Sequence, residues 1–111
     1  MSEIRTDTIN NASGDNDSGI DLSTNDQVKI KTANTTALTV DASQNVGIGT
    51  SSPTGFSGYT SLDINNATNG ALIDLSQGDS MKGRLIATAS SMAIETASSV
   101  PIIFQPTGSE A

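Results

Sequence analysis

Apolar side chains recur in short alternating pairs along most of the chain. Between residues 20 and 48 four such pairs follow one another: Ile20 and Leu22, Val28 and Ile30, Leu38 and Val40, and Val46 and Ile48. A spacing of two places both members of a pair on one face of a β-strand. Segments rich in Asn, Asp, Ser and Thr separate the pairs, and they are expected to be turns at residues 24–26, 33–35 and 42–45. The pattern therefore predicts short strands in a meander, sandwich or barrel-like β architecture.

Alternation stops between residues 47 and 58, where Pro53 and four glycines occur. Glycine weakens strands and proline cannot donate to a ladder, so the first β module is expected to end here. Alternation then resumes in the following groups: Leu62 and Ile64; Ala71, Ile73 and Leu75; Leu85 and Ile86; Met92 and Ile94; and Ile102 to Phe104. Residues 90–99 also permit a helical turn, but their Ser, Thr and Ala content has weak helix propensity, so a strand is favoured.

The sequence thus predicts four segments: an N-terminal arm over residues 1–18, a first β module over 19–50, a linker over 51–60, and a second β module over 61–111. Ile4 and Ile9 are the only sizeable apolar residues of the arm after Met1. Such a segment cannot order itself by burial, although it can lie on a partner as an extended arm or a short strand. We expect Arg5 to add a charge-assisted bond there. An untethered tail is the alternative.

Weak internal similarity links the two modules. The motif Ile20-Asp21-Leu22-Ser23 recurs as Ile73-Asp74-Leu75-Ser76, and residues 28–37 (VKIKTANTTA) align with residues 102–111 (IIFQPTGSEA). In the first copy the next residues form the predicted strand around Leu38 and Val40. The second copy ends where that strand is due, so the chain is expected to continue into a longer fibre; an ordinary frayed terminus is the alternative. Asn69-Gly70 is a hairpin-type dipeptide.

Large apolar side chains are scarce. Hydrophobic residues make up 34% of the 111 residues and aromatic residues 3%, with no Trp, one Tyr and two Phe, whereas Ser, Thr and Asn together number 39. A chain of this size with so little apolar volume is not expected to fill a core of its own. We therefore predict that copies of the chain share a core, as a homotrimer.

Composition also excludes several functions. A net charge of −7 opposes binding to a phosphate backbone, so no nucleic-acid partner is expected. The chain has no His and no Cys, which removes His-based triads, thiol nucleophiles and Cys/His zinc sites. Apolar runs of two or three residues predict no membrane insertion. The N-terminus lacks the apolar region of a secretory signal.

The most specific segment is residues 37–53, ALTVDASQNVGIGTSSP. It resembles a repeat of bacteriophage tail fibres, especially those of marine phages and cyanophages, in which a strand ending in Asp and a turn ending in Asn precede the tag VGIGTxSP. The opening segment IRTDTINNASG and the final PIIFQPTGSEA are also similar to parts of such fibres. These matches cover about a third of the chain.

The resemblance implies an elongated, intertwined homotrimeric β fibre, such as a β prism, without enzymatic activity. Its N-terminus would join the virion through a tail or adaptor protein, after assembly in the host cytoplasm, and so support host attachment. Residues Ile4, Arg5 and Ile9 are the predicted docking residues. The alternatives are a carbohydrate-binding adhesin segment, which the low aromatic content disfavours, and a fragment of a tailspike glycosidase.

The tag suggests how copies meet. On a strand, Gly47 and Gly49 share one face and Ile48 takes the other with Val46. A face without side chains permits close approach of another backbone. We predict that Val46, Gly47, Ile48 and Gly49 pack at the trimer axis, with a surface bulge in a monomeric sheet as the alternative.

Candidate sites for chemistry are weak. Residues 15–26 carry acids at spacings that superficially match a calcium loop, but Ile20 stands where that loop requires Gly. Acid pairs such as Asp15 with Asp17, or Asp7 with Asp21, have no predicted cleft or aromatic platform for a sugar. Lys29 and Lys31 lie on the polar face opposite Val28 and Ile30, as solubilising residues. No catalytic residue, metal or cofactor is predicted.

Overall fold

The computed structural model describes residues 2–105, and this part of the chain is all-β, which confirms the predicted fold class. Two sheets contain the strands: a first sheet in the order β1 to β6 and a second sheet in the order β7 to β9. The chain divides after residue 68 into two compact units, each with one sheet. The nine strands are β1 (Thr8–Asn10), β2 (Gly19–Asp21), β3 (Val28–Thr32), β4 (Thr35–Val40), β5 (Val46–Ile48), β6 (Leu62–Ile64), β7 (Ala71–Gln77), β8 (Ser80–Ala87) and β9 (Met92–Thr96).

Strands that follow one another in the chain pair with one another in the first sheet. The pairs from β1 to β5 are antiparallel, whereas β6 pairs parallel to β5. Ala33 and Asn34 both have positive φ, 48° and 56°, and join β3 to β4. A two-residue turn with both φ positive matches the twist of a hairpin. The turn predicted at this point is therefore confirmed.

The strand registers align the apolar pairs across the entire first sheet. One row has one residue from each strand, and a second row crosses β3 to β6. Together they form what we call the apolar face: Ile9, Ile20, Ile30, Leu38, Ile48 and Ile64 in the first row, and Val28, Val40, Val46 and Leu62 in the second. Six of these ten side chains remain exposed and the other four are half-buried, and no hydrophobic residue among residues 2–105 is buried.

Burial in the first sheet occurs on the opposite, polar face. Thr39 is fully buried there, Gly47 lies beside it in the ladder, and Asn45 at the adjoining turn is 4% exposed. Parallel strands require a crossover connection, and here residues 49–61 supply it without a helix. This crossover lies against the polar face, which leaves the apolar face uncovered by the first unit.

The second sheet is an antiparallel meander. Gly78 and Asp79, with φ of 55° and 58°, form the two-residue turn from β7 to β8. Ile73, Leu85 and Ile94 align across one face. The other face carries a row of charged residues. In this row the Arg84 Nε and the Asp74 Oδ1 form an ion pair at 3.1 Å, but their contact does not have the geometry of a hydrogen bond.

The observed boundaries differ from the predicted segments in three places. Thr8–Asn10, inside the predicted arm, pairs with β2 as an edge strand. Residues 51–60 form part of the crossover within one sheet, because Leu62–Ile64 pairs with β5 instead of starting a second module. The boundary between the units lies after residue 68.

Three local predictions have different outcomes. The strand favoured within residues 90–99 is confirmed as β9. Asn69-Gly70 precedes β7 but does not join paired strands, so the hairpin expected there is wrong. Residues 101–105, including the apolar Ile102 to Phe104, are not in a strand. The rest of the predicted repeat, residues 106–111, lies outside the described residues, as does Met1.

Candidate functional site

A network of polar side chains fixes the turn between β4 and β5 to the crossover; we call it the polar knot, made of Asp41, Asn45, Thr54, Ser61 and Asp63. Its centre is Asn45, whose backbone N donates to the Asp41 Oδ1 at 2.9 Å and whose Nδ2 donates to the Asp41 Oδ2 at 3.1 Å. The Asn45 Oδ1 accepts from both the backbone N and the Oγ of Ser61, at 2.9 and 3.0 Å. Asn45 thereby joins two segments sixteen residues apart.

The knot continues from Ser61 into the sheet. The single hydroxyl hydrogen of Ser61 is shared between the Asn45 Oδ1 and the Thr54 carbonyl oxygen, which lies 2.7 Å from the Ser61 Oγ, and the Thr54 N donates to the Asp63 Oδ2 at 2.8 Å. Val46 N also donates to the Ser61 carbonyl oxygen at 2.9 Å. These bonds hold both ends of the crossover to β5 and β6. The parallel pair is therefore stabilised by side chains as well as by its own ladder.

Asp41 is the charged member of the knot around which the turn folds. Hydrogen bonds from the backbone N and side chain of Asn45, and from the backbone N of Ser43, lower the pKa of the Asp41 carboxyl below its usual value of 3.8, although partial desolvation opposes them. Donors favour the ionised form. At neutral pH Asp41 is thus a carboxylate held in a fixed orientation at the surface.

The structure requires glycine at both positions of the tag, Gly47 and Gly49, for two different reasons. A Cβ on Gly47 would lie 2.7 Å from the Pro53 Cγ and 2.8 Å from the Thr50 Cγ2, so the crossover approaches closely only because Gly47 has no side chain. On the same face of the paired strands β4 and β5, the Thr39 Oγ1 donates to the Thr50 carbonyl oxygen at 2.9 Å. Gly49 has a φ of 73°, and a Cβ there would collide with the Asn65 carbonyl oxygen.

The residues predicted at a trimer axis are therefore divided between two faces. Val46 and Ile48 lie on the apolar face, with Ile48 42% exposed. Gly47 is buried on the polar face, where the approaching backbone belongs to the same chain. Packing of these residues at a threefold axis stays a prediction.

The predicted docking residues occupy two settings. Ile4 lies before the first strand and is 89% exposed, and Arg5 forms an ion pair with Glu3. Ile9 belongs to β1, where it pairs with Ile20 in the first row of the apolar face. The structure therefore brings Ile9 to the sheet and leaves Ile4 and Arg5 outside it. Docking through these residues stays a prediction.

The acidic residues of segment 15–26, whose spacing superficially matches a calcium loop, are not arranged around a common centre. The Asp21 Oδ1 accepts from the backbone N and hydroxyl of Ser23, and these bonds, with smaller effects of Lys31 and Lys29, lower the pKa of Asp21. Asp17 and Asp21 border a cavity of about 80 Å³ together with Lys31. The positive charge of Lys31 would compete with a metal ion for these two carboxylates. Within residues 2–105 no group of three or more His, Cys, Asp or Glu side chains is placed to hold a metal ion.

The polar knot is the site that sequence reasoning missed. The sequence alone indicates only that Asp41 ends a strand, that Asn45 ends a turn and that Ser61 begins the second module. Asp followed four residues later by Asn is a signal for side-chain capping of a turn. No local signal connects Ser61 to Asn45, because that contact depends on the parallel pairing of β6.

Comparisons with protein-family models, with curated protein sequences and with solved structures find no match to the chain. Over residues 2–105 the structure has no helix long and apolar enough to cross a membrane.

Proposed function

We propose that this chain is a structural segment of a homotrimeric bacteriophage tail fibre, close to the virion and without enzymatic activity, that holds the fibre to the particle for host attachment. The observation that carries the proposal is the uncovered apolar face. The chain covers the polar face of its first sheet with its own crossover and leaves two aligned rows of Ile, Leu and Val open. An uncovered surface of this kind is typical of a protein interface.

Charge favours other copies of the chain as the occupants of this face. Each copy has a net charge of −7, so copies repel unless they meet through an uncharged surface. The two rows contain no charged residue, whereas Lys29, Lys31 and Asp21 lie on the other face. Association through the apolar face therefore buries aliphatic side chains without burying charge. The resemblance of residues 37–53 to fibre repeats supports a trimer in particular.

A matched pair of variants tests the trimer. We expect the wild type to sediment with three times the monomer mass of 11.3 kDa. Ile48→Asp should dissociate it, because three carboxylates would be buried without partners. Lys31→Asp, a charge change on the polar face, should leave the trimer intact. A compact, folded wild-type monomer, or equal effects of the two variants, would contradict the proposal.

A deletion tests attachment through the N-terminal arm. Removing residues 2–7 eliminates Ile4 and Arg5 but keeps β1 and the apolar face. We expect the shortened fibre to trimerise while phage particles assembled with it lack fibres, seen by electron microscopy. As a control, Glu3→Gln should retain attachment. Particles that carry normal numbers of shortened fibres would place the docking surface elsewhere.

A further inference from the structure

A cavity of about 600 Å³ lies beside the polar knot, within the first unit. Its walls come from the turn between β4 and β5 and from the middle of the crossover. A volume of this size is typical of small-molecule sites in proteins. We call it the aromatic pocket, and the residues that matter here are Asp41, Ser43, Phe56, Ser57, Tyr59 and Thr60.

Two of the three aromatic residues of the chain line the pocket. Phe56 and Tyr59 occupy the ends of a tight turn in which the Tyr59 N donates to the Phe56 carbonyl oxygen at 3.0 Å, and Gly58 has a φ of 83°. Both side chains are exposed, at 72% and 76%. Two exposed rings that line one cavity in an otherwise aromatic-poor chain give flat apolar surfaces for a ligand.

The part of the lining that comes from the turn between β4 and β5 is polar and fixed. Asp41 is an ionised carboxylate whose position is set by the bonds from Asn45 and Ser43. Ser43, Ser57 and Thr60 line the same cavity. Because the knot holds Asp41 before any ligand arrives, binding does not require this acceptor to be ordered.

We propose that the aromatic pocket binds a neutral saccharide unit. A sugar ring has an apolar face that stacks on aromatic rings and hydroxyl groups that donate to a carboxylate, and both partners are present here. An acidic sugar is disfavoured by Asp41 and by the net charge of −7. The scarcity of aromatic residues disfavours carbohydrate binding when the sequence is considered alone, but the fold brings two of them to one cavity. This site does not depend on the trimer.

Ligand-observed NMR with the full chain tests the site. The probes are three neutral disaccharides, cellobiose, maltose and lactose, with glucosamine and glucuronic acid as cationic and anionic comparisons. We expect binding of at least one neutral disaccharide, and about a tenfold weaker affinity in Tyr59→Ala, as loss of one stacking contact implies. Ser43→Ala should weaken binding less, since its backbone N keeps Asp41 in place.

Phe104→Ala provides the matched control, because Phe104 is also a largely exposed aromatic residue, in the second unit and outside the pocket. It should bind as the wild type does. Equal losses in Phe104→Ala and Tyr59→Ala would show non-specific adsorption and overturn the proposal. Tighter binding of glucosamine than of every neutral sugar would assign the pocket to cations, and no binding of any disaccharide at millimolar concentration would also overturn it.

Discussion

Both units have few large apolar side chains, and they differ in what their sheets bury instead. In the first unit the crossover covers one face of the sheet, and Asn45, Thr39 and Gly47 become buried beneath it. In the second unit, over residues 69–105, no residue is buried. A polar network thus gives the first unit a fixed interior, whereas the second has little beyond its ladders. The comparison shows that side-chain hydrogen bonds can organise a sheet that lacks an apolar core.

The second sheet also exposes apolar residues on both of its faces. Ile73, Leu85 and Ile94 form a row on one face, and Leu72 aligns with Ile86 on the other. Three strands are about the minimum for independent stability, and they need a packed hydrophobic face to reach it. If the proposed trimer forms, we therefore expect the second unit to gain more stability from it than the first.

The largest expected effect is that of Asn45→Ala, which removes the centre of the polar knot. It leaves the half-buried Ser61 N without the Asn45 Oδ1, and it removes one of the three donors to the Asp41 carboxylate, which keeps the backbone N of residues 43 and 45. A buried polar group left unsatisfied costs about 1–3 kcal/mol. We expect a loss of about 2–4 kcal/mol in the first unit. Hydrogen exchange should accelerate in β4 to β6 and stay unchanged in β7 to β9.

Asn25→Ala is the matched control for that variant. Asn25 is exposed in the turn between β2 and β3, where its Nδ2 donates only to the neighbouring Asp26. The expected change is within about 0.5 kcal/mol. If Asn45→Ala destabilised both units equally, the two would not be independent cooperative units, and the contrast between them would be wrong.

A smaller effect is expected from adding one methyl group to each unit. Gly47→Ala places a Cβ 2.7 Å from Pro53, so the crossover must shift, at a cost of about 1–3 kcal/mol. Gly83→Ala, within β8, places a Cβ 3.3 Å from the Glu95 carbonyl oxygen and nothing closer. Thermal unfolding should show a clear loss for Gly47→Ala and little change for Gly83→Ala. The reverse order would mean that the crossover is not closely packed.

Alternation alone was enough to predict most strands, because the spacing of apolar pairs is a local property. The pairs from Val28 to Ile48 and the strand at Met92 were found in this way. Alternation does not predict the parallel pairing of β6. Pro53 and the glycines indicate an interruption of the strands, and this signal is the same whether the chain leaves the sheet or returns to it. Gly47 was recognised as a point of close approach, but its partner, Pro53 of the same chain, depends on the crossover path.

The smallest expected effect is a pH dependence of the first unit. The pKa of Asp41 is lower in the folded chain than its usual value of 3.8, so the ionised form stabilises the fold above that value. This stabilisation is lost as the pH falls below about 3.8 through the lowered pKa of the folded state. NMR signals of β4 and β5, followed during thermal unfolding, should show a lower midpoint at pH 3 than at pH 7.

Asp41→Asn should reduce that difference without abolishing it, because the pKa of Asp21 is also lowered. Ser43→Ala should retain it, since the bond to Asp41 comes from the backbone N of Ser43. An unchanged acid sensitivity in Asp41→Asn would show that the knot is held by its neutral hydrogen bonds rather than by the charge of Asp41.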